Sequence, residues 1–79
     1  MTNTEKKWTK IAEKMLVGRK IISVRYMSES ERSGFAWSRR PVILMLDDGN
    51  LIYPSMDDEG NDGGTLFTNN ENEPVLPTL

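Results

Sequence analysis

Apolar side chains recur near the start of the chain at the spacing of a helix, with lysines between them. This spacing places the apolar residues on one side of a helix and most of the lysines on the other. At the start of the helix, Thr2 and Glu5 have capping-box spacing, and Thr4 is an alternative N-cap. At its end, Gly18 suits the left-handed conformation that terminates a helix. We therefore predict an amphipathic helix over about residues 4–17, whose stripe covers a core. The stripe comprises Trp8, Ile11, Ala12, Met15 and Leu16.

Runs rich in β-branched and aromatic residues follow, and they predict strands over about 20–27, 41–47, 50–55 and 65–68. The segment 28–34 begins like a capped helical turn, with Ser28 followed by Glu31, and ends at Gly34, so we expect a short helix or a structured loop. Placing Asp48 and Gly49 at the centre of a two-residue turn joins the second and third strands as a β-hairpin. The prolines of the tail 74–79 confine it to an edge as an extended segment.

The predicted hairpin is apolar on both of its sides. In this register one side carries Val42, Leu44, Leu46, Leu51 and Tyr53, and the other carries Ile43, Met45 and Ile52. A hairpin with one side in water alternates apolar with polar residues, so this one requires cover on two sides. We expect an α+β fold in which the helix packs on a small, strongly curved, mostly antiparallel sheet of about four strands. Either the sheet curls into an SH3-like barrel, or a second copy or a partner covers the outer side.

Length and composition exclude several classes of protein. Seventy-nine residues correspond to a single domain, 1–79. The sequence has no Cys and no His, which removes the commonest transition-metal ligands and the usual general base near neutral pH. Nothing in the chain reads as a signal peptide or approaches the roughly 20 apolar residues of a membrane span. We therefore expect a cytoplasmic protein that does not bind membranes.

Charge is divided sharply between the two halves of the sequence. Residues 1–40 hold all ten basic residues and four acids, a net +6, whereas residues 41–79 hold eight acids and no base, a net −8. Opposite charges within one folded chain pair locally, and that is the simpler interpretation. The alternative is a polarised surface that orients a partner of opposite charge.

Several motifs together resemble a family of small uncharacterised bacterial proteins with no established activity. They are "GRKIISVRYM" (18–27), a Trp before "RP" (37–41), "LDDG" (46–49), "YPSMDDEGNDGGTLFT" (53–68) and "PVLPTL" (74–79). The resemblance covers nearly all of the chain after the helix. It implies a complete single domain and transfers no catalytic role to any residue.

The acidic, glycine-rich stretch "DDEGNDGG" (57–64) has three interpretations. It does not fit an EF-hand, whose sixth residue is glycine, because Asp62 stands at that place. A looser calcium or magnesium site would use the carboxylates of Asp57, Asp58, Glu59 and Asp62. The other interpretations are a loop that contacts a partner and a structural turn built on glycines with positive φ.

The stretch "GFAWSRRP" (34–41) alternates two aromatic residues and then carries two arginines. Rings that stack on bases, beside guanidinium groups that meet phosphates, are typical of single-stranded nucleic-acid binding. Phe35, Trp37, Arg39 and Arg40 would then form the site. The same rings could instead anchor a protein partner or cover the domain's own core.

An enzyme built from these residues would be a carboxylate-based hydrolase, with Asp57 or Asp58 as general base and Arg40 as an anion clamp. Adjacent acids on a glycine-rich loop are expected to be solvated, which disfavours such chemistry. We therefore predict a non-catalytic protein-interaction module that binds itself as a homodimer, or another protein. Its contact surface is predicted to be the outer hairpin side formed by Ile43, Met45 and Ile52.

Overall fold

The computed structural model describes residues 2–79, which form an α+β fold of two helices and two small antiparallel sheets. The first sheet has the strand order β1-β2-β3, and the second pairs β4 with β5. In chain order the elements are α1 (Asn3–Leu16), β1 (Ile21–Tyr26), α2 (Glu29–Phe35), β2 (Val42–Leu46), β3 (Leu51–Ile52), β4 (Leu66–Phe67) and β5 (Val75–Leu76).

The sheet does not close into a barrel, contrary to one of the architectures expected from the sequence. Among residues 2–79, β3 pairs only with β2, and β4 pairs with β5 in a separate sheet. The strand predicted over 50–55 is reduced to two residues because Pro54 has no amide to donate to a ladder. Ser55 forms an isolated bridge with Gly63 instead.

Helix α1 forms where the apolar stripe predicted it. The Thr2 side chain accepts a hydrogen bond from the amide of Glu5 at 3.1 Å, and Gly18 follows the helix with φ of 78°. However, none of its residues is buried, and Trp8 is 59% exposed. The expected packing of the stripe on the sheet is therefore not confirmed within the single chain.

The pairing of β1 with β2 is the most extensive in the fold. Tyr26 pairs with Val42 and Val24 with Leu44, and the register shifts between Ile21 and Ser23. A bulge of this kind accommodates one extra residue and increases the local twist of the strand. All residues of β1 from Ile21 to Arg25 are exposed, so both sides of this edge strand lack cover.

The hairpin between β2 and β3 has a three-residue loop rather than the two-residue turn expected. The amide of Gly49 donates to the carbonyl of Leu46 at 3.0 Å, and the amide of Leu46 donates to the carbonyl of Asn50 at 2.9 Å. Gly49 has φ of 88°, the left-handed conformation that a type I turn with a glycine bulge requires. An Asp-Gly pair is compatible with both the two-residue turn and the three-residue loop, so the sequence does not distinguish between them.

This loop moves β3 by one residue and exchanges its sides. Ile52 pairs with Leu44, and Leu51 pairs with Met45. Ile52 therefore lies on the side of Leu44, not with Ile43 and Met45 as predicted. The three residues proposed as one outer surface do not share a side of the sheet.

Within residues 2–79, six residues form the buried interior: Met27, Trp37, Pro41, Val42, Ile43 and Leu46. Met27, Trp37 and Ile43 form one buried cluster. Trp37 is 4% exposed and Ile43 is 3% exposed. The core is small, and it lies away from helix α1.

The molecule is more open than a compact chain of its size. Its radius of gyration is 14.1 Å, against about 12 Å for a compact domain of this length. Its accessible surface is 6105 Å² for a mass of 9.0 kDa. A folded monomer of that mass exposes about 4,900 Å², so roughly 1,200 Å² of additional surface is open to solvent.

Candidate functional site

The end of helix α2 places the Trp37 side chain in the core. Ser28 and Glu31 form a capping box at the start of the helix, as their spacing predicted. The helix continues past Gly34, the predicted end, and stops when Ala36 adopts φ of 60°. The amide of Trp37 then donates to the carbonyl of Arg32 at 3.0 Å, which is a Schellman-type ending.

Trp37 joins the two sequence motifs that were singled out separately. Its indole nitrogen donates to the carbonyl of Gly60 at 2.6 Å, across 23 residues of sequence. Its ring lies 5.4 Å from that of Phe35 and 6.0 Å from that of Tyr53, measured between centroids. The 57–64 loop is therefore fixed against the segment 35–41.

Asp62 makes the second connection between these segments. One of its carboxylate oxygens accepts hydrogen bonds from the amides of Ser38 at 2.8 Å, Arg39 at 3.1 Å and Gly63 at 2.8 Å. Burial alone raises the pKa of Asp62, but these amides, Gly63 foremost, outweigh it and lower the pKa below its ordinary value. The carboxylate is therefore committed to backbone amides.

Two glycines allow neighbouring segments of the chain to approach each other closely. A Cβ atom on Gly63 would lie 2.8 Å from Cδ of Pro41 and 2.9 Å from the carbonyl oxygen of Arg39. A Cβ atom on Gly64 would lie 2.9 Å from the carbonyl group of Ser55. The glycines at these two positions are required by space, since neither has positive φ.

Asp57 stabilises the first half of the acidic loop by accepting hydrogen bonds within it. Its carboxylate accepts from the amides of Glu59 and Asn61, both at 3.1 Å, and from the Asn61 side chain at 2.7 Å. The side chain of Asn61 is the main cause of the lowered pKa of Asp57. In the part of the chain that the structure describes, no three acidic groups converge as a metal site requires. The calcium or magnesium alternative, which also used Asp58 and Glu59, stays a prediction.

The nucleic-acid alternative requires two accessible rings, and the ring of Trp37 is buried. Phe35 is exposed, but both sides of Trp37 are occupied by the core, so stacking of a base on Trp37 would require the core to open. Arg39 is exposed, whereas the guanidinium of Arg40 lies 3.8 Å from the carboxylate of Glu29. This geometry favours the core-lid interpretation of Trp37.

The C-terminal segment completes this end of the molecule. Arg40 and Leu79 exchange two backbone hydrogen bonds of 2.9 Å each. The hydroxyl of Tyr26 donates to the carbonyl of Pro77 at 3.0 Å. The tail that was predicted as an edge segment also contributes β5, which pairs with β4.

Exposed apolar side chains also lie on α1, on the linker after it and on β1. We call this set the open apolar surface, and its residues are all exposed. Sequence reasoning placed the uncovered surface on β2 and β3, because it assigned α1 to the core. The surface comprises Trp8, Ile11, Met15, Leu16, Val17, Ile21, Ile22 and Val24.

An apolar row crosses the sheet and begins at Val24, which also belongs to the open apolar surface. Val24, Leu44 and Ile52 are direct cross-strand neighbours and therefore lie on the same side. Val24 is exposed, and the other two are half-buried. The row ends in an apolar pocket of about 170 Å³ lined by Leu44, Ile52, Tyr53, Pro54 and Leu66. Small-molecule sites have volumes of about 300–1,000 Å³, so this pocket suits a single large side chain.

Known proteins add no further constraint on this site. No family model, curated protein or solved structure matches the chain. Within residues 2–79, neither helix has the length and apolar character needed to cross a bilayer.

Proposed function

We propose that this chain is a non-catalytic protein-interaction module that self-associates as a homodimer through its open apolar surface. The observation that carries the proposal is the complete exposure of α1, an amphipathic helix with Trp8, Ile11, Met15 and Leu16 on one stripe. Contiguous exposed apolar patches on monomers mark interaction sites. This replaces the predicted contact surface at Ile43, Met45 and Ile52, since Ile43 is buried and Ile52 faces the other side.

The amount of exposed surface supports a dimer. The excess over a compact monomer is about 1,200 Å² per chain. Two chains that covered this excess would together bury about 2,400 Å², within the range of obligate homodimers. A weak encounter would need less than half of that area.

The stability of α1 also favours a partner. Helices shorter than about 12–15 residues are marginal in water, and most of their stability in proteins comes from packing of the apolar stripe. Helix α1 has 14 residues and packs none of its stripe inside the chain. A second copy supplies that packing without any other component.

The distribution of charge is compatible with self-association. Lys6, Lys7, Lys10 and Lys14 are carried by α1, whereas residues 41–79 contain no basic residue. Acids are therefore the only charged side chains that a helix meets where it approaches the later half of another copy, which favours encounter and orientation. A helix–helix contact between two copies of α1 lacks this complementarity.

Two observations support a non-catalytic role. The carboxylate of Asp57, one of the two candidate general bases of a hydrolase, is hydrogen-bonded to the amides of Glu59 and Asn61. The apolar pocket has no titratable side chain among its residues other than Tyr53. The cytoplasmic location and the family resemblance stay predictions alongside this proposal.

A charge placed on the stripe tests the proposal. Ile11→Glu would place a carboxylate in the dimer interface, which costs more than about 2 kcal/mol and should weaken association at least about 30-fold. Sedimentation velocity measures the change. The matched control is Asn3→Glu, which adds the same charge on the polar side of the same helix and should leave association unchanged. Equal association of the two variants and the unmodified chain would contradict the proposal.

A further inference from the structure

The apolar row across the sheet and the stripe of α1 match in length. The row runs over three adjacent strands, from Val24 through Leu44 to Ile52, and so spans two strand spacings, about 10 Å. Within the stripe, Met15 follows Trp8 by seven positions, which is a rise of about 10 Å along the helix. A helix of this length therefore covers the row when it lies across the strands.

The chain's own helix does not occupy this row. The linker that follows α1 is fixed to the hairpin loop, because Arg19 lies 3.4 Å from the carboxylate of Asp48 and the amide of Asp47 donates to the carbonyl of Lys20 at 2.9 Å. With the linker held there, the α1 stripe and Val24 both remain exposed. Each copy thus offers one uncovered helix stripe and one row that is only partly covered.

We infer that, in the homodimer, α1 of each copy lies across the Val24–Leu44–Ile52 row of the other copy and places the Trp8 side chain in the apolar pocket. This inference rests on the proposed self-association and assigns its geometry. The contact is reciprocal, so it closes as a two-fold dimer and leaves neither helix nor row uncovered.

The ends of the row fix the direction of the helix. The pocket lies at the Ile52 end and is bounded by Leu66 of the second sheet. Trp8 is the largest side chain of the stripe, and a tryptophan that fills a pocket is the commonest kind of interface anchor. With Trp8 at that end, Met15 of the same helix lies near Val24 at the other.

Cysteine cross-linking tests this arrangement, because the sequence contains no cysteine of its own. Chains carrying Met15→Cys are mixed with chains carrying Val24→Cys and oxidised. A disulfide forms only when the two Cα atoms approach within about 7 Å. The control acceptor is Leu51→Cys, which is exposed but lies on the opposite side of the sheet. We expect the 15–24 heterodimer in at least about fivefold excess over the 15–51 heterodimer.

The outcomes separate this inference from the proposed function. If 15–15 disulfides dominate, or if 15–24 and 15–51 form equally, the copies associate in another way and the inference fails alone. If Met15→Cys and Val24→Cys placed in one chain link within that chain, α1 folds back on its own sheet and both fail. If no intermolecular disulfide forms and the mixture has the mass of a monomer, both also fail.

A second measurement reports on the pocket. Trp8→Ala should raise the dimer dissociation constant roughly 30-fold, as expected for loss of an aromatic anchor. Phe67→Ala removes another exposed aromatic side chain, on β4 and outside the pocket lining, and should change the constant by less than about twofold. Similar constants for the two variants would show that Trp8 does not fill the pocket.

Discussion

Gly63 shows how a single residue sets the approach of two segments. Gly63→Ala would force a Cβ atom against Pro41 and the carbonyl of Arg39. We expect a loss of about 1–3 kcal/mol of unfolding free energy, the range for overpacked sites. Urea unfolding measures it.

Gly34→Ala is the control for Gly63→Ala. A Cβ atom on Gly34 meets nothing within 4 Å, and the residue lies within α2. This change should stabilise the chain by about 0.5–1 kcal/mol, because alanine favours a helix. If Gly63→Ala proves as stable as the unmodified chain, the 57–64 loop is not held against Pro41 as described.

Glu31 makes stability depend on pH in acid. Its carboxylate accepts two hydrogen bonds from Arg25, at 2.7 and 3.1 Å, and one from the amide of Ser28 at 2.9 Å. The bond from the Arg25 side chain is the main cause of a pKa lowered to about 2, from an ordinary value of 4.5. Between these values the unfolded chain binds the extra proton, so this contribution is complete above pH 4.5 and is lost as the pH falls towards 2.

We therefore expect the urea midpoint to fall as the pH is lowered through this window. Glu31→Gln should make that dependence shallower, since the amide does not titrate. The lowered pKa values of Asp57 and Asp62 account for the part that remains. Glu71→Gln, a change on the exposed β4–β5 loop, serves as control and should retain the slope. Identical slopes for the two variants would exclude Glu31 as the group responsible.

At the scale of elements, the sequence predicted which segments form helices and the longer strands, but not what covers them. Helix α1 has boundaries within one residue of those predicted, because caps and periodicity are local signals. The loop at Gly49 is one residue longer than predicted, and this exchanges the sides of β3. The sequence did not reveal the extra residue, because both loop types suit an Asp-Gly pair. The contact of Trp37 with Gly60 joins positions 23 residues apart, which no local pattern specifies.

Helix α1 should be stable only when the chain self-associates. We expect its amides to exchange with deuterium rapidly in dilute solution and to become protected as concentration rises, because its stripe is packed only in the dimer. The amides shared between β1 and β2 serve as internal control, since their ladder is complete within one chain. Exchange of α1 that is slow at every concentration would show that the helix needs no second copy.

At the scale of the whole molecule, the sequence predicted an α+β chain with more apolar surface than its own elements cover. It placed that surface on β2 and β3, whereas exposed apolar side chains also lie on α1 and β1. The cause is the position of α1, since a short helix linked to the hairpin loop by Arg19 and Lys20 does not reach the row between Val24 and Ile52. In the proposed dimer a second copy covers this row, and local sequence patterns do not specify contacts between copies.

The molar mass of the unmodified chain tests this account most directly. Light scattering from about 1 µM to about 100 µM spans the dissociation constants expected of a specific dimer of this size. We predict a mass that reaches twice 9.0 kDa within this range. A mass that stays at 9.0 kDa throughout, with α1 still helical, would contradict the account.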